Sequence, residues 1–176
     1  MNEALGNTPH VELVKRLRQG DEVAFALLYR SMYAAVLRTA YLVLGSREQA
    51  EDVAQEAFLR LWLYRARLEE RPLLPWLLTV ATHACFSLRR RKREFLLEEE
   101  PAVMDDELSP EDRLFYLQVV ETMNGLPKKQ RAIAALRLLH DFSEEETARI
   151  LGCAPGTVGA ALHQAKERMR KRLGID

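Results

Sequence analysis

Apolar positions recur three and four residues apart through two long stretches of the chain, the period of helices that bury one face. Thr8 followed by Pro9 reads as an N-cap with proline at the first helical position, and Gly20 closes that short helix. A second helix is predicted from about Asp21 to Leu44, with Phe25, Leu28, Tyr29, Met32, Val36, Tyr41 and Leu44 on its apolar side and Gly45 as its stop. Ser46 with Gln49 reads as a capping box opening a third helix, to about Tyr64. Its inward stripe is Ala50, Val53, Ala54, Ala57, Phe58, Leu61 and Trp62, while Glu48, Glu51, Asp52, Gln55 and Glu56 project away. A fourth begins near Pro72, turns Trp76, Leu77, Val80, Ala84 and Leu88 inward, and ends in the basic run Arg89–Arg93. These four helices would close one lobe.

The apolar period then lapses and resumes at Ser109-Pro110, again a cap with proline behind it. Helices are expected at about 110–124, 128–139, 143–151 and 156–173, with Gly125, Asp141 and Gly152 at or near the breaks and Ser143 with Glu146 as a capping box. Composition agrees with an all-α chain. Ala, Leu, Glu and Arg supply 89 of 176 residues and Val, Ile and Thr only 21, which leaves little material for a sheet.

Charge separates the lobes. The formal net charge is zero, but residues 1–93 carry +5, residues 94–112 carry −9 with no Lys or Arg, and residues 113–176 carry +4. Nine like charges with Pro101 and Pro110 describe a self-repelling, extended linker. The expected organisation is therefore a helical domain over 1–95, an acidic flexible linker over 96–112 and a second helical domain over 113–176. Two basic lobes suit a polyanionic partner.

The most specific local signal runs from Glu146 to Val158. Ala148 is small where two helices would touch, Gly152 tolerates the left-handed turn, and Val158, followed by Leu162, Ala165, Met169 and Leu173, anchors a second helix inward. This is the pattern of a DNA-binding helix-turn-helix, although a plain αα-hairpin uses the same small residues for packing. With Val158 inward, Thr157, Gly159, Ala160, His163 and Gln164 are candidates for the major groove. Of these only Thr157, His163 and Gln164 have side chains that can bond a base edge. Lys166, Arg168, Arg170, Lys171 and Arg172 suit phosphate.

Together these residues resemble bacterial sigma factors of the extracytoplasmic-function (ECF) group. Glu51-Asp52-Val53-Ala54-Gln55-Glu56-Ala57-Phe58-Leu59-Arg60-Leu61-Trp62 is similar to that family's polymerase-binding helix. Pro75-Trp76-Leu77-Leu78-Thr79-Val80-Ala81, leading to Arg89–Arg93, is similar to its −10-reading and melting helix. Leu126-Pro127-Lys128-Lys129-Gln130-Arg131, Phe142-Ser143-Glu144-Glu145-Glu146 and Gly156-Thr157-Val158 are similar to its −35-reading domain. The resemblance implies that Asp52, Gln55, Glu56 and Arg60, with apolar help from Leu59, dock on the polymerase's largest subunit. It implies −10 contacts from His83, Ser87, Arg89, Arg90, Arg91 and Arg93, and −35 contacts from Lys128, Arg131, Arg149, Thr157, His163, Gln164 and Lys166. Core RNA polymerase, promoter DNA and an anti-sigma factor are the implied partners.

The chain departs from the family where DNA is read. His83 and Ser87 replace the usual Asn and Asp, and Gly159-Ala160-Ala161 replaces Lys-Ser-Arg. Either the −35 contact is made through phosphates and DNA shape, or this lobe mainly serves a protein partner. The acidic linker is either a solvated tether or a segment suited to a polymerase channel lined for polyanions. Trp76 reads as core rather than as a π-face for an extruded base.

No catalytic site, metal site or cofactor is expected: His10, His83, His140 and His163 are scattered, and no phosphate loop or nucleophile elbow is present. Cys85 and Cys153 match no metal or redox spacing, and Cys153 reads as a small buried hydrophobe. The longest apolar stretch, Pro72 to Leu78, is too short to span a membrane, and no leader pattern opens the chain, so a cytoplasmic protein without membrane insertion is expected. Two rivals remain: a sigma-like adaptor that sequesters an anti-sigma factor, and a dimeric helix-turn-helix transcription regulator.

Overall fold

The computed structural model describes residues 7–69, 71–88 and 110–174, with side chains from His10, and from Leu117 in the second part. Eight α-helices and one short 3-10 turn make up these residues, and no strand occurs among them. The helices are α1 (Asn7–Arg18), α2 (Glu22–Leu44), α3 (Arg47–Tyr64), α4 (Leu73–Ser87), α5 (Pro110–Asn124), α6 (Lys128–Leu138), α7 (Glu144–Leu151) and α8 (Pro155–Leu173).

The predicted starts and stops act through the backbone. The Asp21 carboxylate accepts from the N–H groups of Val23 and Ala24, and the Ala24 bond, with Arg16 beside it, holds that carboxyl below its ordinary range. Gly45 closes α2 in the left-handed region, its N–H returned to the Tyr41 carbonyl. Ser46 Oγ accepts from the Gln49 N–H, and Ser143 with Glu146 forms a complete reciprocal capping box.

In the first lobe α3 lies between α2 and α4, burying Ala50, Val53, Ala54, Ala57, Phe58 and Leu61. Rings fill the α2–α3 seam. Phe25 meets Trp62 edge-on at 5.4 Å, Tyr29 meets Phe58 at 4.7 Å, and the Arg65 guanidinium covers Trp62 at 4.2 Å. The inward face of α4 differs from the expected stripe. Leu73, Leu77, Leu78, Ala81, Thr82 and Cys85 are buried, Trp76, Val80 and Ala84 are half-buried, and Leu88 is exposed. Of the expected stripe only Leu77 is buried: α4 is gripped on a second side by α7, which turns its buried face toward Leu73, Leu78, Ala81, Thr82 and Cys85.

The second lobe is built as its pattern predicts. Ala148, Val158, Leu162 and Ala165 are buried, Met169 and Leu173 are half-buried, and Gly152 takes φ 63° at the end of α7. Cys153 is half-buried rather than enclosed, because its backbone N–H is drawn to the Ala148 carbonyl while its side chain lies on the open turn.

The two lobes share one continuous apolar core. α6 lies along α2, α5 touches α2, and α7 lies against α4. This explains why six consecutive residues of α2, Thr39 to Leu44, are all buried: a helix covered on one side only would leave part of that run in water.

Candidate polymerase and nucleic-acid interfaces

The outward face of α3 is a contiguous mixed surface. Asp52, Gln55, Leu59 and Arg60 are exposed and Glu56 is half-exposed, all on the side opposite the buried stripe. Glu56 and Arg60 pair at 2.5 Å and Arg47 and Glu51 at 2.9 Å, each one helical turn apart. Exposed pairs of this kind add little to stability. Leu59, Leu63 and Tyr64 are more than half exposed and line the same helix. A charged face flanked by apolar side chains has the make-up of a docking surface, with rim charges setting orientation.

On α4 the two candidates His83 and Ser87 are exposed, together with Phe86, and the Ser87 hydroxyl donates to the Ala84 carbonyl at 2.8 Å. Arg89, Arg90, Arg91 and Arg93 lie outside the described residues. A small cleft of about 90 Å³ opens between the end of α3 and the start of α4. Tyr64, Arg67, Arg71 and Trp76 are among its lining residues, so an aromatic face and two cations converge near the half-buried Trp76. This cleft has no periodic signature in the sequence, because Arg67 ends the 3-10 turn and Arg71 lies in the short loop after it. The clue available was a cationic loop between two aromatics.

The helix-turn-helix places its candidates unevenly. Thr157, His163 and Lys166 are exposed on α8 and Arg149 is exposed on α7. Gln164 is exposed but already accepts from the buried Gln130 side chain at 3.0 Å, and Arg168 donates to the same Gln130. Gly159 does not face outward. It is half-buried, and a Cβ built there would lie 3.1 Å from the Glu144 carboxylate, so the Glu144 side chain lies over this glycine. Lys128 and Arg131 lie on the opposite side of the lobe from open solvent. Lys128 is half-buried and reaches the last carbonyls of α4, while Arg131 is 7% exposed and donates to the Asn124 side chain. The structure therefore leaves Arg149, Thr157, His163 and Lys166 exposed on α7 and α8, with Thr157 and Lys166 on different flanks of α8, and sets Lys128 and Arg131 in the seam between the lobes.

Cys85 is buried and Cys153 is half-buried on the turn between α7 and α8. Burial pushes the Cys85 thiol up to about 12, against the opposing influence of Lys128 and Arg131. Among the described residues no group of His, Cys, Asp and Glu is arranged to hold a metal ion, and no helix is long and apolar enough to cross a membrane.

An all-helical chain with an open charged helix face in one lobe and a helix-turn-helix in the other has the make-up of a DNA-binding adaptor. The comparisons make it specific. Residues 28–95 match the family model of sigma-70 region 2, and residues 116–169 match that of sigma-70 region 4. The chain is 32% identical to the ECF RNA polymerase sigma factor SigL of Mycobacterium tuberculosis, over 88% of this chain and 93% of that protein. It is 29% identical to the ECF RNA polymerase sigma factor SigW of Bacillus subtilis, over 91% of this chain and 94% of that protein. Its fold is that of CnrH solved in complex with the cytosolic domain of CnrY (TM-score 0.72, 21% identity, covering 93% of this chain and 96% of that one). It also matches RpoE of Bartonella quintana solved with the anti-sigma factor NepR (TM-score 0.67, 20% identity, covering 86% and 98%). The chain belongs to the ECF group of RNA polymerase sigma factors, and its role is promoter-specific transcription initiation with core RNA polymerase.

Proposed function

We propose that the chain works as a cytoplasmic initiation factor that performs no covalent chemistry and uses three surfaces in turn. The outward face of α3, with Asp52, Gln55, Glu56, Leu59 and Arg60, docks on core polymerase. The exposed side of α4, with His83 and Ser87, and the basic run that follows, with Arg89, Arg90, Arg91 and Arg93, engages the −10 element as its strands separate. The surface of α7 and α8, with Arg149, Thr157, His163 and Lys166, engages the −35 element, largely through phosphates, because Ala160 and Gly156 offer no hydrogen-bonding side chain. Domain limits near residues 95 and 113 follow from the charge pattern. An anti-sigma factor is a further partner, by analogy with the complex formed by the Bartonella relative.

The observation that carries this reading is α3: a buried stripe holds the helix rigid while a charged and apolar face stays open, with no packing role of its own. Reconstituted transcription tests it. Core polymerase, this chain and DNA from upstream of its own gene should yield transcripts, and the double variant Asp52→Ala/Glu56→Arg should abolish both transcription and core binding. A native chain that fails to bind core would defeat the reading and favour the adaptor that only captures an anti-sigma factor.

A further inference from the structure

Within the second lobe a short relay of hydrogen bonds runs from α6 to the exposed flank of α8. Gln130, on α6, is only 8% exposed. Its Oε1 accepts from Arg168 Nη1 at 3.0 Å, and its Nε2 donates to Gln164 Oε1 at 3.0 Å. The direction of this relay is fixed by its first member. A guanidinium has donors and no acceptor, so the end of the Gln130 amide that meets Arg168 must be the oxygen. The nitrogen end then faces Gln164, and it needs an oxygen there. Gln164 is therefore turned with its carbonyl toward α6, and its NH2 is the end left on the exposed side of the helix.

The helix that carries Gln164 is held against rotation by the same flank. Gln164, Arg168 and Arg172 follow one another at four-residue spacing, so they form one stripe. Arg172 donates to the Thr122 carbonyl at the end of α5 at 3.4 Å. A Cβ on Gly125 would fall on its guanidinium, so this glycine leaves the seat that Arg172 fills. Toward the start of α8 the flank continues to Thr157, two turns before Gln164. Lys166 lies on the other flank, and the exposed cations Lys166, Arg170 and Lys171 carry the charge that phosphates meet.

We infer that Gln130 is a positioning residue for promoter specificity: it presents Gln164 to the −35 element as a donor only, so that Gln164 selects guanine over adenine at the base pair it meets. The inference rests on the sigma-factor reading above and deepens it. A free glutamine reads adenine with both ends of its amide, accepting from N6 and donating to N7. The oxygen that this mode requires is already turned to Gln130. Guanine offers N7 and O6 side by side, two acceptors with no amino group between them, which suits an outward NH2.

Selection from a promoter pool tests it on the full chain bound to core polymerase. The −35 segment is randomised in DNA from upstream of the chain's own gene, and the DNA retained by the holoenzyme is sequenced. The native chain should enrich guanine over adenine about tenfold at one position, and Gln164→Ala should erase that preference alone. Gln130→Glu keeps an acceptor for Arg168 but offers Gln164 only oxygens, so the Gln164 amide turns over and its carbonyl faces out. The preference at the same position should then pass to a base with an amino group, cytosine or adenine. Gln130→Met leaves the Gln164 amide unheld, should bring adenine level with guanine, and carries the test if Gln130→Glu fails to fold. Merely loosening α8 would weaken all sequences without exchanging one base for another. The inference is overturned if the preference stays on guanine in both Gln130 variants. It is equally overturned if Gln164→Ala weakens every sequence alike, since the outward NH2 then meets phosphate. Core binding, measured alongside, should be the same for all four chains. A native chain that does not bind core fails the sigma-factor reading itself, and the assignment of Gln130 falls with it.

Discussion

α3 and α8 are built alike and finished differently. Each buries a stripe of small and aliphatic residues, Ala50, Val53, Ala54, Ala57 and Leu61 on one and Val158, Leu162 and Ala165 on the other. The outer face of α3 then carries Asp52, Gln55, Glu56, Leu59 and Arg60, side chains of defined shape and charge. The outer face of α8 offers Gly156, Ala160, Thr157 and His163 at its leading end, with its cations from Lys166 onward. A helix face reads its partner only through the side chains it holds out. On the function proposed above, this difference makes the polymerase contact the specific one and the −35 contact mostly electrostatic.

The largest expected effect breaks the α3 side. Asp52→Ala/Glu56→Arg should lower core binding by about 100-fold or more, equivalent to about 3 kcal/mol, read by competition against the native chain. Replacing Phe58 with Ala would attack the same helix from behind. It should cost about 3–5 kcal/mol of folding stability, measured by urea denaturation, because the ring is buried among Phe25, Tyr29 and Tyr33.

Changes on α8 should be milder and of a different kind. Lys166→Ala should weaken binding of holoenzyme to DNA about equally for all sequences and reduce the slope of log affinity against log salt by about 1. A loss confined to one promoter sequence would show that Lys166 reads a base instead. Ala160→Arg should instead strengthen −35 binding, by about 1 kcal/mol, on the exposed site the native chain leaves bare. The smallest structural effect is Ser143→Ala, which removes the α7 capping box and should cost about 1 kcal/mol.

The seam adds a pH dependence. Burial, reinforced by the positive charge of Arg38 and opposed by Asp141, lowers His140 from its ordinary value of 6.5 to about 4. A group lowered in the folded chain binds its proton more readily in the unfolded one. Folding stability from this site is therefore fully present above about pH 6.5 and is lost as pH falls toward 4. The urea midpoint should fall over that window, and His140→Gln should flatten the fall.

Much of the fold was legible because its signals are local. Asp21, Gly45, Ser46, Ser143 and Gly152 act on backbone groups within four residues of themselves, so their positions in the chain are enough to place helix ends. The α3 stripe and the Val158 anchor were legible for the same reason: three-four spacing sorts side chains into faces without any knowledge of what covers them. The site was legible to the same depth. The exposure of Asp52, Gln55, Leu59, Arg149, Thr157 and Lys166 follows from the stripe opposite.

Other features depended on partners distant in sequence. Nothing near Lys128 or Arg131 distinguishes a cation that meets phosphate from one that caps α4 or lies buried beside Asn124. For Lys128 that choice is made by α4, about 40 residues away, and for Arg131 by Asn124 at the end of the preceding helix together with burial against α4. Gly159 looks outward by helical phase, yet the Glu144 side chain of α7 lies over it. The burial of Thr39 to Leu44 on every side, the rotated inner face of α4 and the Thr39–His140 tie across 101 residues all require the second lobe to be in place. Chain-local chemistry determined which helices form and which face of each is apolar. Only the tertiary structure decided which polar residues remain in water, because burial is a property of the neighbours and the neighbours came from the other lobe.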